Sequence, residues 1–239
     1  MRGRYVEAEP VLLRSIAIRQ ARMGPRHPDV GVTLGNLGLV YFEQGRYVQA
    51  EDAYRRSLAI LDPGPGRETP VVTESLNNLA ELYRVQGRYP EAEPLYRRSL
   101  SIRERTLGPE HPSVATSLNN MAALYHLQGR YVEAEPLYRR TLVILEKTVG
   151  PEHQRVGITL NNLAEVYRAE GRWSDAAAIY PRAILIVENS LGPDHPTLAS
   201  LLENYAGVLR RARRDAEALE ADERARDIRA RHAQQNQRR

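Results

Sequence analysis

The chain contains no cysteine, one lysine, one tryptophan and one phenylalanine among its 239 residues. Without cysteine there can be no disulfides, no thiolate nucleophile and no cysteine-bound metal. No run approaches the roughly 18 consecutive apolar residues of a membrane span. The charged sequence after Met1 also lacks the apolar segment of a secretion signal. We therefore expect a cytoplasmic protein that does not engage a membrane.

Catalytic signatures are missing as well. Lys147 follows Glu146 rather than glycine, so the sequence has no nucleotide-binding loop. It has no G-x-S-x-G, no H-E-x-x-H and no calcium-loop pattern. We expect no enzyme activity, no cofactor and no metal. All other basic residues are arginines, which together with abundant alanine, glycine and proline indicates a GC-rich, bacterial genome.

The formal net charge of +4 is concentrated at one end. Residues 210–239 contain ten arginines and six acidic residues, so the remainder of the chain is neutral. These arginines alternate with Asp and Glu, a pattern typical of a solvated helix. We predict a basic disordered tail over 233–239 and no nucleic-acid partner.

What the chain does have is an internal repeat of 42 residues. A Gly-Arg-aromatic triplet occurs five times, once every 42 residues. An alanine and an isoleucine also recur at this spacing. The glycines are Gly3, Gly45, Gly87, Gly129 and Gly171. The alanines are Ala8, Ala50, Ala92, Ala134, Ala176 and Ala218, and the isoleucines are Ile18, Ile60, Ile102, Ile144, Ile186 and Ile228. A further glycine recurs at Gly24, Gly66, Gly108, Gly150 and Gly192.

Each repeat unit predicts two helices. Val114, Leu118, Met121 and Tyr125 are spaced i, i+4, i+7 and i+11, which places them on one face of an α-helix that we term A. Gly129 supplies the positive φ that ends helix A, and helix B follows it. A Pro-Glu-His-Pro segment then leads into the next A helix. Such hairpins bury their apolar faces only when they stack, which predicts a solenoid.

The sequence resembles the tetratricopeptide repeat family. Two segments carry the resemblance: Leu-Asn-Asn-Leu-Ala-Glu-Leu-Tyr (76–83) and Gly-Arg-Tyr-Pro-Glu-Ala-Glu-Pro-Leu-Tyr-Arg-Arg-Ser-Leu (87–100). The 42-residue step and the Leu-Gly-Pro-Glu-His-Pro linker (107–112) are similar to the kinesin-light-chain type. The resemblance implies an all-α, right-handed superhelical solenoid of about eleven helices. We predict one solenoid over 1–232: a half repeat over 1–26, repeats over 27–68, 69–110, 111–152 and 153–194, and a capping repeat over 195–232.

The resemblance also implies where a ligand would bind. At about 100° per residue, one face of helix A lies opposite its core stripe, and in tetratricopeptide solenoids that face lines the concave groove. Its central position is always asparagine: Asn36, Asn78, Asn120, Asn162 and Asn204. The preceding position holds Asn77, Asn119 and Asn161.

An asparagine ladder has two interpretations. An amide both donates and accepts, so a column of amides can hydrogen-bond an extended peptide backbone of any sequence. Alternatively, each asparagine bonds neighbouring A helices and fixes the stack. The first interpretation predicts a scaffold that binds a peptide or partner protein, whose identity the sequence does not give.

Charged residues flank the asparagines in the predicted groove. Glu81 and Glu165, with Glu43 and Glu74, predict an acidic floor. Arg84, His126 and Arg168 are predicted to form the rim. This arrangement favours a ligand of mixed charge. The basic floor residues that clamp a terminal carboxylate in some tetratricopeptide domains are missing, which disfavours ligands anchored by a C-terminus.

Four histidines also recur at the 42-residue step: His27, His111, His153 and His195. Equivalent side chains in successive repeats lie too far apart to share a metal ion, so we expect a loop or capping role for them.

Two alternatives to a peptide scaffold stay open. Val11, Leu12, Ile16 and Ile18 lack one of their usual neighbours, because no A helix precedes them. The first helix could therefore meet a second copy of the chain, which would give a self-assembling homo-oligomer. The other alternative is that the chain is the sensing segment of a larger signalling protein, since such arrays resemble those fused to ATPase or caspase-like domains.

Overall fold

A computed structural model describes residues 2–62, 64 and 69–237. Eleven α-helices and no strands occur in these ranges, which confirms the predicted all-α class and helix number. The helices are α1 (Arg2–Met23), α2 (Pro28–Glu43), α3 (Tyr47–Leu61), α4 (Pro70–Val85), α5 (Tyr89–Leu107), α6 (Pro112–Leu127), α7 (Tyr131–Val149), α8 (Gln154–Ala169), α9 (Trp173–Leu191), α10 (Pro196–Arg211) and α11 (Asp215–Gln237).

The even-numbered helices are the predicted A helices, and the odd-numbered ones are the B helices. Each pair is joined by a tight turn whose central residue has a positive φ, which glycine adopts without steric cost. Gly45, Gly87, Gly129 and Gly171 have φ values of 72° to 75°. Arg213 takes the same place before α11 with φ of 60°, so the chain turns there without glycine.

Between hairpins, histidine begins the next A helix. The Nδ1 atoms of His27, His111, His153 and His195 each accept a hydrogen bond from the backbone N–H two residues later, at 3.1 to 3.2 Å. Each satisfies an N–H that the helix itself leaves unpaired. The capping role predicted for this column is therefore confirmed. Thr69, the fifth member, makes no such bond, and Gly66 lies outside the described residues.

The chain forms two compact units, Met1–Leu124 and Tyr125–Arg239. That one solenoid runs over 1–232 stays a prediction. Within each unit a helix packs mainly on its neighbours in sequence, as expected when every hairpin contacts only the adjacent ones. The first unit is built around two buried clusters, and the second buries equivalent positions. The clusters are Ile16, Val30, Leu34 and Leu37, and Leu61, Val72, Leu76 and Ile102.

The arginine of the Gly-Arg-aromatic triplet ties successive hairpins together. The Arg88 guanidinium lies 4.1 Å above the Tyr83 ring, and its Nη1 donates to Glu51 Oε2 of the preceding B helix at 2.9 Å. The Tyr83 hydroxyl donates to the other oxygen of Glu51 at 2.9 Å. In the second unit the same contacts join Arg172, Tyr167 and Glu135. The triplet recurs because it closes the turn and links the repeats.

The two end helices differ from the inner ones. On α1, Ile16 is buried against α2, whereas Val11 is 66% and Ile18 is 44% exposed. The residues equivalent to Ile18 in α5, α7, α9 and α11 are at most 3% exposed. At the other end, α11 continues to Gln237 and takes in most of the predicted disordered tail; residues 238 and 239 lie outside the described residues.

Candidate functional site

The predicted groove face consists of the residues on each A helix opposite its core. Six large apolar side chains of the A helices are exposed, and all but Val71 lie on this face. Exposed apolar side chains collected on one face are a feature of interaction surfaces, and both units have them on this face. The five are Val32, Leu39 and Val85 in the first unit, and Leu127 and Ile158 in the second, each 39–46% exposed.

The central asparagines stand between these apolar side chains. Asn36 and Asn204 are exposed, and Asn78, Asn120 and Asn162 are half-buried. Within the described ranges, none of their side chains hydrogen-bonds to another protein group, so no bond between A helices uses these amides. Their donors and acceptors are available to a molecule bound on the face.

The preceding asparagines are deeper. Asn77 is only 7% exposed, and Asn119 and Asn161 are half-buried. The Oδ1 atoms of all three are buried and accept no hydrogen bond from the described part of the chain. A buried carbonyl oxygen without a donor costs about 1–3 kcal/mol, so three at equivalent positions require an explanation. Because these oxygens have almost no accessible surface, a ligand on the groove face could bind them only after the asparagine side chains rotate.

In the second unit a pocket opens on this face between α8 and α10. It has a volume of about 230 Å³ and is lined by Ile158, Asn161, Ser200 and Asn204, among others. The pocket therefore brings together members of both asparagine columns and an exposed apolar side chain.

Two glutamates of the predicted acidic floor, Glu81 and Glu165, are each paired with an arginine of the predicted rim. Arg84 donates to both oxygens of Glu81 at 2.5 and 2.7 Å, and the Tyr96 hydroxyl donates to Glu81 Oε2 at 2.8 Å. In the second unit Arg168 and Tyr180 bind Glu165 in the same way. Burial raises the pKa of Glu81, but the bonds from Arg84 and Tyr96 outweigh it, and the net pKa is lowered.

Sequence reasoning missed the tyrosines in these clusters. Tyr96 and Tyr180 belong to B helices and recur at the repeat step, which was the available signal. His126, the remaining rim residue, is half-buried, with its ring 5.5 Å from that of Tyr131. Burial lowers its pKa against the attraction of Glu165, so the imidazole is neutral at pH 7.

No cluster of three or more metal-ligating side chains occurs in the described ranges. None of the helices described there is long and apolar enough to cross a membrane.

Comparison with known sequence families decides what kind of repeat this is. The Tetratricopeptide repeat family model matches residues 1–62, 72–147, 113–180 and 155–231, which together span nearly the whole chain. The chain belongs to the tetratricopeptide repeat family. A search of curated protein sequences finds no match.

Two solved structures of the kinesin-light-chain kind and one further solved structure share the fold. BtubC (BKLC) from P. vanneervenii is 24% identical with a TM-score of 0.83, over 98% of this chain and 92% of that one. Kinesin-light-chain TPR-like repeats from Podospora anserina are 26% identical with a TM-score of 0.76, over 87% and 98%. Pseudomonas aeruginosa pilF is 21% identical with a TM-score of 0.62, over 84% and 78%. The similarity to the kinesin-light-chain type that the sequence indicated is confirmed.

Proposed function

We propose that this protein is a scaffold that binds an extended peptide segment of a partner protein on the groove face. Tetratricopeptide repeats are in general protein-interaction scaffolds, and the family model matches most of this chain. The observation that carries the finer proposal is the asparagine column. Its five amides make no hydrogen bond within the described chain and stand beside exposed apolar side chains.

These two features suit a peptide backbone. An extended peptide presents an N–H and a C=O at every residue, and its side chains point alternately to opposite sides. The amides of Asn78 and Asn120 can pair with the main chain, and Val85 can contact an apolar side chain. Because the amides read the backbone rather than the side chains, affinity does not depend on one fixed sequence.

The charges of the face support a role in binding rather than in catalysis. Glu81 and Glu165 are each held by an arginine and a tyrosine hydroxyl, so neither is a free general base. Because an arginine neutralises each of these two carboxylates, they add no excess charge of one sign, which favours a peptide of mixed charge.

The proposal is tested by selecting binders from a phage-displayed library of random dodecapeptides and measuring the affinities of the selected peptides. Two variants remove the central asparagines of one unit at a time: Asn36→Ala/Asn78→Ala/Asn120→Ala, and Asn162→Ala/Asn204→Ala. The matched control changes exposed valines of the B helices: Val48→Ala/Val132→Ala.

We expect at least one asparagine variant to lose about tenfold or more in affinity, because each amide bond contributes about 0.5–1.5 kcal/mol. Alanine has a higher helix propensity than asparagine, so the variants should keep their helicity. If the control loses as much affinity as the asparagine variants, or if folded variants bind like the original chain, the groove face is not the site.

A second candidate function is self-association through α1. Ile18 is 44% exposed where α5, α7 and α9 bury the equivalent isoleucine, and Val11 is 66% exposed on the same helix. A second copy could cover both. Light scattering across protein concentrations tests this, with Val11→Ser/Ile18→Ser as the variant. The mass of a monomer at every concentration of the original chain would exclude it.

A further inference from the structure

A buried arginine lies beneath the groove face of the first unit. Arg103 belongs to α5 and is only 7% exposed. Its Nε donates to Thr73 Oγ1 of α4 at 3.1 Å, and its Nη1 donates to the Ser113 carbonyl and Ser117 Oγ of α6 at 3.0 and 2.9 Å. The guanidinium thus bridges two A helices through neutral oxygens alone.

The same column of the repeat shows how unusual this is. The equivalent residues of inner B helices are apolar and buried: Leu61, Leu145 and Val187. In α1 the equivalent residue is an arginine, Arg19, whose Nη1 lies 3.6 Å from Asp29 Oδ2. The last hairpin also has an arginine there, Arg229, but it pairs with both oxygens of Glu203 at 2.6 and 2.7 Å. Glu203 stands 26 positions before Arg229, and the residue at that distance before Arg103 is Asn77, which is neutral.

Arg103 therefore lacks the counter-ion that the repeat supplies elsewhere. It forms no ion pair with a carboxylate in the described ranges, and its Nη2 donates no hydrogen bond there. Burial lowers its pKa, with the charge of Glu74 opposing, but a guanidinium stays protonated in proteins. A buried charge without a partner is unfavourable, and a planar guanidinium pairs best with a carboxylate.

Groove positions adjoin two of the residues that hold Arg103. Thr73 is followed by Glu74, and Ser117 is preceded by Thr116, and both neighbours occupy groove positions on α4 and α6. The buried Oδ1 of Asn77, which accepts no hydrogen bond within the described chain, lies on α4 one turn beyond Thr73. The Arg103 guanidinium, which can bind an anion, and the Asn77 oxygen, which can accept an N–H, thus lie beside the same stretch of the groove.

We propose that Arg103 forms a carboxylate subsite of the groove between α4 and α6, which takes an Asp or Glu side chain of the bound peptide. When the peptide binds, the Asn77 side chain rotates so that its Oδ1 accepts a main-chain N–H of the same segment. Glu74 is exposed at the subsite and weakens it by repulsion. The inference rests on the proposed peptide-binding function and names one specificity-determining residue within it.

The test uses the full chain and two pools of acetylated, amidated dodecapeptides that are random except at one central position, which is Glu in one pool and Gln in the other. Arg103→Leu is the main variant, because leucine fills the equivalent buried positions 61 and 145. Arg103→Gln removes the charge and keeps a hydrogen-bonding side chain, which provides a second folded variant. Glu74→Gln leaves Arg103 intact.

We expect the original chain to bind the Glu pool more tightly, by about ten- to hundredfold, as a charge-assisted hydrogen bond implies. Arg103→Leu and Arg103→Gln should abolish this preference and leave binding of the Gln pool unchanged, and Glu74→Gln should increase the preference. Equal binding of both pools by the original chain, or a preference that survives both Arg103 variants, would overturn the subsite alone.

Two further outcomes separate the alternatives. A third pool, with Gln at the centre and a free C-terminus, replaces the side-chain carboxylate by a terminal one. Arginine-dependent binding of that pool alone would overturn the assignment to an Asp or Glu side chain. Failure of the chain to bind any pool would overturn the proposed function, and the subsite with it.

Discussion

Tyr96 provides a sharp test of the polar contacts that tie each hairpin together. Its ring is completely buried, and its hydroxyl donates to Glu81 Oε2 at 2.8 Å. Tyr96→Phe removes this one bond and keeps the ring. A hydrogen bond to a charged group contributes about 1.5–3 kcal/mol. Because the Glu81 side chain is 34% exposed, water can replace part of the bond, so we expect the free energy of unfolding to fall by about 1.5 kcal/mol.

Tyr54 is the matched control for this substitution. It occupies the equivalent position one repeat earlier in the same compact unit and is 1% exposed. Its hydroxyl makes no hydrogen bond to another described residue, so Tyr54→Phe should change the free energy of unfolding by less than about 0.5 kcal/mol.

Urea unfolding followed by circular dichroism measures both variants on the transition of the same unit. A double-mutant cycle with Glu81→Gln should show a coupling energy of about 1 kcal/mol for Tyr96. Equal losses for Tyr96→Phe and Tyr54→Phe would refute the reasoning, because the cost would then follow burial of the hydroxyl rather than the bond to Glu81.

Three other results are expected from substitutions outside the groove. Arg213→Gly should raise the free energy of unfolding by up to about 1 kcal/mol in urea titrations, because a left-handed φ strains a residue with a side chain. His153→Ala should lower it by about 1 kcal/mol through loss of the helix cap, whereas Thr69→Ala, where no cap bond exists, should change it little. The pKa of Glu135 is lowered because bonds from Arg139, Arg172 and Tyr167 outweigh the effect of burial. The contribution of Glu135 to stability is therefore present above the ordinary carboxyl pKa of 4.5 and is lost as the pH falls through the folded value. In Glu135→Gln the free energy of unfolding should fall less steeply as the pH is lowered through the acid range.

The hairpin fold could be predicted from the sequence because each of its signals is local. A glycine at a fixed place ends helix A, and apolar spacing within one helix identifies its core face. The asparagine column was likewise predictable, since a helix fixes which residues share a face. The pairing of Arg84 with Glu81 spans three residues of one helix and could also have been predicted from spacing.

The contacts of Arg103 and Tyr96 could not be predicted in the same way. Their partners lie 10 to 30 residues away on other helices, and the pairing depends on how the hairpins stack. The irregular tail predicted from composition also differs from the helix that continues to Gln237. Its alternating charges and alanines are compatible with a helix without a fully apolar face.

The central claim is that the free asparagine amides of the groove face bind a peptide backbone. The most direct measurement is the nuclear magnetic resonance spectrum of the asparagine side-chain amides in the ¹⁵N-labelled protein, recorded with and without a selected dodecapeptide. We predict that signals of the central column in at least one unit, Asn36, Asn78 and Asn120 or Asn162 and Asn204, shift and exchange more slowly with solvent when the peptide is bound. Unchanged asparagine signals, with backbone shifts confined to the B helices, would contradict the account.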